Sequence, residues 1–304
     1  MTTTRLDGRV AIVTGAGAGL GRSHALLLAR QGAKVVVNDL GGSVNGEGGD
    51  NAAADKVVAE IRASGGEAVA SYGSVSDPES AAGIVKTALD AFGKLDILVN
   101  NAGILRDKSF MKMEMSDYRT VLDVHLLGSV YVTKAAWPHF MNQKYGRVVV
   151  TTSVAGTNGN FGQTNYGAAK MGLLGLMNCL TIEGRKNNVL TNAISPSANT
   201  RMTEGLVGEA LQKLLDPKFV SAAVAWLCCE KCTDSATIVA AGGGGYGRVA
   251  YFETEGVQFD PTKDVTVEMF DEAFPRIADL STARPSPIGV FGLMEERLKK
   301  AGLL

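Results

Sequence analysis

Six short apolar runs recur through the chain: Val10–Thr14, Ala33–Asp39, Ala68–Tyr72, Leu95–Asn100, Gly146–Thr152 and Val189–Ile194. Segments of helical spacing lie between them, and Ile238–Ala241 fits as a seventh run. Strands separated by helix-length connections pair in parallel, and a parallel sheet is covered on both faces. The pattern predicts a doubly wound α/β fold of the Rossmann type, with a mostly parallel sheet of seven strands. At 304 residues the chain is long enough to bury one large core of this kind.

The first run leads directly into Thr-Gly-Ala-Gly-Ala-Gly-Leu-Gly, Thr14 to Gly21, and a helix is predicted over Leu20–Gln31. Glycine permits a tight turn and lets backbone N–H groups approach a pyrophosphate at the positive end of a helix. Gly15, Gly19, Leu20 and Gly21 are therefore candidate cofactor contacts. Asp39 ends the second run, where a carboxylate either accepts hydrogen bonds from both hydroxyls of an adenosine ribose or stands as an exposed strand-end acid. A phosphate on that ribose would bring further negative charge against the carboxylate. Arg22 follows the last glycine, but Leu40 follows Asp39, so no obvious cation offsets the repulsion and NAD is expected in preference to NADP. The third run ends in Gly73-Ser74-Val75, where Ser74 and Val75 suit an adenine edge. The fourth ends in Asn100-Asn101-Ala102-Gly103, a small-residue turn that lets Asn101, Ala102 and Gly103 approach a cofactor through their backbone.

Chemistry enters with Tyr166-Gly-Ala-Ala-Lys170, preceded by Ser153. Residues i and i+4 share a helix face, so the Lys170 ammonium lies beside the Tyr166 phenol and favours its ionised form. A free tyrosine ionises near pH ~10, so a working phenolate at neutrality needs stabilisation of about 4 kcal/mol. With Ser153 holding a substrate oxygen and Tyr166 removing its proton, the pattern predicts alcohol–ketone redox chemistry on a nicotinamide.

Composition narrows the partners. Thirty Lys and Arg stand against 31 Asp and Glu, so no electrostatic footprint for nucleic acid or an anionic membrane is expected. No apolar run approaches the length of a membrane span, and Met-Thr-Thr-Thr-Arg-Leu-Asp-Gly lacks the pattern of a signal peptide. Small molecules and further copies of the chain remain as partners. Cys179, Cys228, Cys229 and Cys232 read as reduced thiols, the last three at the end of a core helix over Val224–Glu230, with no metal site expected.

Three segments interrupt the rhythm. Gly41–Asn51 is a glycine-rich excursion, read as a mobile surface loop. Thr200–Asp216 is a short helical segment in the place of a lid. After Gly242–Gly245, which ends the regular pattern, residues 246–304 carry Phe252, Phe259, Phe270, Phe274, Ile288, Val290 and Phe291. That many large apolar groups predict packing against the main domain, residues 1–245, or against a partner subunit.

The order and spacing of Thr14–Gly21, Asn100–Gly103, Ser153 and Tyr166–Lys170 resemble the short-chain dehydrogenase/reductase family over residues 6–245. The resemblance implies that Ser153 orients the substrate, Tyr166 is the general acid/base and Lys170 also binds the nicotinamide ribose. It further implies contacts from the loop after the sixth strand, with Pro196, Ala198 and Thr200 toward the nicotinamide. Many members carry asparagine where His125 stands; His125 either anchors the same proton relay through a ring nitrogen or is a packed core histidine.

A narrower resemblance rests on Asn38–Gly42, Ala54–Val58, Asn101–Asp107, Gly159–Gln163 and Ile182–Lys186. These segments are similar to the (3R)-hydroxyacyl-CoA dehydrogenase units of type 2 multifunctional enzymes of peroxisomes, and imply a stand-alone, bacterial relative; the missing leader pattern predicts a cytoplasmic protein, and the apolar tail predicts a homodimer. The expected reaction is NAD-dependent oxidation of a (3R)-3-hydroxyacyl-CoA. Oxidation of a free 17β-hydroxysteroid is the alternative, and a non-catalytic cofactor sensor a remote one. Phe110, Met111, Met113, Phe161 and Leu206 are either substrate wall or core. Arg106, Lys108 and Arg201 are either CoA-phosphate contacts or solvated charges.

Overall fold

Eight strands form the central sheet: Val10–Thr14 (β1), Lys34–Asn38 (β2), Ala68–Ser71 (β3), Ile97–Asn100 (β4), Gly146–Thr151 (β5), Val189–Ser197 (β6), Ile238–Gly242 (β7) and Gly245–Val249 (β8). This computed structural model describes residues 3–200, 208–286, 288–289 and 292–304. The strand order is β3-β2-β1-β4-β5-β6-β7-β8, and every pairing from β3 to β7 is parallel. Order reverses between β1 and β4, so a crevice opens above their carboxyl ends.

The helices are Gly19–Arg30 (α1), Ala52–Ala63 (α2), Pro78–Phe92 (α3), Met115–Leu122 (α4), Gly128–Gln143 (α5), Val154–Thr157 (α6), Thr164–Gly184 (α7), Glu209–Leu214 (α8) and Pro217–Cys228 (α9). α2, α1 and α9 pack side by side as one layer, and α3, α5 and α7 as another. Between them β1, β2 and β4 are apolar and almost wholly buried, as strands covered on both faces must be. Asp77 starts α3 by accepting from Ser80 N, with Pro78 at the first helical position, and Gly93 ends it in the left-handed conformation.

The sheet differs from the expected seven strands. Gly243 and Gly244, both at positive φ, make a two-residue turn from β7 into β8, which only an antiparallel hairpin allows. Gly242–Gly245 therefore turns the chain back along the sheet instead of ending the pattern. β8 is Gly-Tyr-Gly-Arg-Val and largely exposed, so it lacks the apolar run that marks a strand in the sequence. The helix expected over Val224–Glu230 is α9, which starts at Pro217 after the capping Asp216 and stops at Cys228. Cys228, Cys229 and Cys232 are buried and Cys179 is exposed. Residues 201–207, with Arg201 and Leu206, lie outside the described residues, as do Val290 and Phe291.

The chain divides into two compact units, Met1–Arg248 and Val249–Leu304. In the second, Phe252–Glu253 (β9) pairs antiparallel with Arg284–Pro285 (β10), and Val267–Ile277 (α10) and Gly292–Lys300 (α11) complete the fold. Thr266 caps α10, and Arg297 on α11 reaches Glu253 at 2.9 Å.

Candidate active site

The turn after β1 is locked to the turn after β4. Thr14 Oγ1 accepts from Asn101 N at 3.0 Å and Ala102 N at 3.1 Å, while Asn101 Nδ2 donates to Thr14 O and Gly15 O. The packing leaves no room for side chains: a Cβ on Gly21 would lie 2.1 Å from Gly15 O, and one on Gly15 would lie 2.7 Å from Ala102 Cα. Asp39 sits at the end of β2 with both oxygens anchored, Oδ2 by Gly17 N and Oδ1 by Gly41 N, each at 2.7 Å. Arg22 does not reach across to it, because Glu60 on α2 holds its guanidinium.

These groups border a cleft of about 310 Å³ whose walls include Gly15, Gly19, Leu20, Gly21, Asp39, Ser74, Val75, Asn101, Ala102, Gly103, Pro196 and Thr200. Ala198 does not border it and is packed in the core. The excursion Gly41–Asn51 is no free loop. Leu105 N donates to Val44 O and Arg106 Nε to Asn45 O, both at 3.0 Å, and Gly42, Ser43, Val44 and Gly46 form one wall of the cleft.

At the other end stand Tyr166, Lys170 and His125. Ser153, the cap of α6, stands by the Tyr166 phenol and favours its ionised form. Lys170 Nζ donates to Thr151 O at 2.6 Å and lies 5.3 Å from the centroid of the Tyr166 ring. His125 meets that ring edge-on at 5.1 Å between centroids. A π-helical turn, Asp123–Leu127, places His125 between α4 and α5, with Ser129 Oγ donating to the His125 carbonyl at 2.7 Å. His125 Nε2 lies 3.0 Å from Ile104 N and 2.8 Å from Ile104 O, and buried Nδ1 has no partner among the described residues.

The rest of the rim is more committed than the sequence suggested. Arg106 and Lys108 both pair with Asp117, at 3.0 and 3.1 Å. Phe110, Met111 and Phe161 are exposed, so they are not core.

The family model described as "short chain dehydrogenase" matches residues 9–209. The chain belongs to the short-chain dehydrogenase family. A Mycobacterium tuberculosis protein named for the short-chain type dehydrogenase/reductases is 53% identical over 91% of this chain and 96% of its own length. Peroxisomal multifunctional enzyme type 2 of Drosophila melanogaster is 51% identical over 92% of this chain, which spans only 47% of that enzyme. Its full-length structure superposes with a TM-score of 0.81 at 42% identity, covering 98% of this chain and 50% of the other. A 7α-hydroxysteroid dehydrogenase in complex with NADH and 7-oxo glycochenodeoxycholic acid superposes at 0.72, with 30% identity over 80% of this chain and 96% of its own.

As a short-chain dehydrogenase the protein is an oxidoreductase, and members of the family use nicotinamide cofactors. Its cleft fits one: Gly15 and Gly21 leave no room for side chains in the turn after β1, and the anchored Asp39 carboxylate stands at the end of β2. The electrostatics of the site differ from what the Tyr166–Lys170 spacing predicts. Burial lifts the Tyr166 phenol above the ordinary tyrosine range, the Ser153 hydrogen bond works against this, and the charge of Asp107 adds to it. Burial brings Lys170 down to about 7. Burial, with the Lys170 charge, holds His125 well below the ordinary histidine range, so the imidazole is neutral at pH 7.

Sequence reasoning missed Thr151, whose carbonyl fixes Lys170, the wall formed by Gly42–Gly46, and the contact between Asp107 and Gln163. The last had a signal: both residues sit in segments that carried the narrower resemblance.

Proposed function

We propose that this short-chain dehydrogenase oxidises a (3R)-3-hydroxyacyl-CoA to the 3-ketoacyl-CoA with NAD. The observation that carries the reading is the convergence of Tyr166, Lys170 and His125, with Ser153 beside the phenol, at one end of a cleft whose other end is a glycine cradle beside Asp39. The bound nicotinamide would supply the hydride acceptor. Ser153 Oγ orients the substrate hydroxyl and Tyr166 Oη takes its proton. Lys170 Nζ, aimed by Thr151 O, serves the phenolate and the cofactor ribose. His125 Nδ1, the free side of a ring fixed by Ile104, anchors the path by which that proton leaves.

NAD follows from charge. Asp39 would repel a 2′-phosphate, and Glu60 occupies the nearby Arg22. The hydroxyacyl reading draws support from the relatedness to peroxisomal multifunctional enzyme type 2 and from the exposed apolar side chains of Phe110, Met111 and Phe161. The likeness to a hydroxysteroid dehydrogenase supports free hydroxysteroids as the second reading. Comparing kcat/KM for 3-hydroxyacyl-CoA esters with that for free hydroxysteroids separates the two; a higher value on the steroids would reverse the assignment.

A further inference from the structure

The helix α7 begins without a side-chain cap from Gln163, and Gly167 N donates to Gln163 O at 2.7 Å as its first internal bond. The N–H groups ahead of Gly167 therefore need partners from elsewhere. Tyr166 N finds one in its neighbour: Asn165 Oδ1 accepts it at 2.7 Å, while Asn165 Nδ2 donates to Arg106 O at 3.0 Å. Asn165 is fully buried, so one amide, used at both ends, joins the backbone of Tyr166 to the segment after β4. The same segment holds the neighbouring ring. His125 Nε2 lies 3.0 Å from Ile104 N and 2.8 Å from Ile104 O, and the imidazole meets the Tyr166 ring edge-on at 5.1 Å between centroids. Lys108 N closes the seam on Gly162 O at 3.0 Å, and Gln163 Nε2 donates to Asp107 Oδ2 at 2.6 Å. The segment is anchored from behind as well, by Leu105 N on Val44 O and by the Arg106 guanidinium on Asp117, both at 3.0 Å. Residues 104–108 thus fix both rings of the pair, His125 through its imidazole and Tyr166 through its backbone.

We propose that Asn165 is a positioning residue: it ties Tyr166 to the segment that fixes His125, and so holds the phenol in register with the imidazole and with the substrate oxygen. The inference rests on the reading of Tyr166 as the proton acceptor and adds the residue that aims it. Lys170 is aimed from another wall. Its Nζ donates to Thr151 O at 2.6 Å, and Thr152 Oγ1 donates to the Lys170 carbonyl at 2.9 Å, so the end of β5 holds this residue by both its side chain and its backbone. Two residues of one helix are therefore held by different parts of the fold, Tyr166 by the segment after β4 and Lys170 by β5. Releasing Asn165 should let the phenol drift while the ammonium stays in place, a separation that a general loosening of α7 would not give. Proton transfer needs the two oxygens within hydrogen-bond reach, and a misplacement of about 1 Å costs on the order of 100-fold in rate.

The test reads the ring pair directly. The chain has three histidines, His24, His125 and His139, so isotope labelling of histidine gives three ring signals in an NMR spectrum, and His125→Asn assigns the one beside Tyr166. In Asn165→Ala the His125 signal should move by more than its linewidth while those of His24 and His139 hold. With a (3R)-3-hydroxyacyl-CoA, kcat should fall about tenfold or more, while NAD affinity, measured by calorimetry, stays within about twofold of wild type. Asn165→Asp, equal in size, keeps the acceptor for Tyr166 N and loses the donor to Arg106 O; it should show the same pattern, so the outcome does not hang on one variant folding. A stationary His125 signal, a wild-type kcat, or NAD affinity that falls in step with kcat would overturn the proposal. The NMR and binding measurements need no substrate, so a failure of 3-hydroxyacyl-CoA to turn over would leave them standing. Turnover retained by Tyr166→Phe would instead remove the proton-acceptor reading beneath the proposal.

Discussion

Tyr166 is the side chain on which turnover should depend most steeply. Tyr166→Phe removes only the proton acceptor, so kcat should fall by about 10²–10⁴ while NAD affinity, measured by calorimetry, stays near wild type. Substantial residual turnover would mean that another group takes the proton. Lys170 should behave differently, because one ammonium serves both the phenolate and the ribose. Burial holds that ammonium at about 7, so the free enzyme loses the charge as pH climbs above that value. NAD affinity should therefore weaken with rising pH in the wild type and be flat in Lys170→Met. A wild-type affinity that does not change over that range would remove the ammonium from cofactor binding. Gly103 marks the limit of tolerance on the opposite wall. A Cβ there would lie 2.3 Å from His125 Cε1, within a ring already fixed by Ile104.

The strap Gly41–Asp50 and the turn after β4 carry the next consequence. Arg106 joins three parts: Asn45 O on the strap, Asp117 on α4, and, through its own carbonyl, Asn165 at the start of α7. Arg106→Ala should raise KM for NAD several-fold, because the wall formed by Gly42–Gly46 loses a tie; an unchanged KM would show that the Leu105–Val44 backbone bond suffices. These ties also show what could and could not be read from the sequence. β1 to β7 were legible because buried parallel strands must be apolar along their length. The pair Tyr166 and Lys170 was legible because helical spacing alone puts i and i+4 on one face. β8 was not, since an exposed Gly-Tyr-Gly-Arg edge needs no apolar run. The strap read as a mobile loop because Val44 O and Asn45 O are backbone acceptors, which carry no residue identity. The π-helical turn at His125 hid for a similar reason, as one extra residue barely disturbs helical periodicity. Asp107 and Gln163 meet from loops 56 positions apart, a distance no local pattern spans.

Stability and assembly are properties of the entire chain. His24 on α1 is fully buried against Ser221 on α9, Nδ1 to Oγ at 2.8 Å, and burial lowers it to about 3. The folded form thus resists protonation while the unfolded chain takes up a proton near pH 6.5. The stability that depends on neutral His24 is fully present above that pH and is lost progressively as pH falls toward about 3. By pH ~5 the loss amounts to about 2 kcal/mol, so His24→Gln should flatten the acid decline of Tm between neutrality and pH ~5; an equally steep decline would clear His24. In the second unit only Ala273 and Leu293 are buried hydrophobics among the described residues, while Phe252, Phe270, Phe274 and Leu280 are exposed. We propose that the segment after β8 serves a homodimer, so light scattering should report about two chains per particle, and deletion after Val249 should aggregate the protein or shift its assembly upward. A soluble, active, still dimeric truncation would remove the tail from the interface. The most direct measurement is NADH formation by the wild type with matched (3R)- and (3S)-3-hydroxyacyl-CoA esters, each supplied with NAD or NADP. The proposed function predicts the highest kcat/KM for the (3R) ester with NAD and none above background in Tyr166→Phe; preference for the (3S) ester, or for NADP, would contradict it.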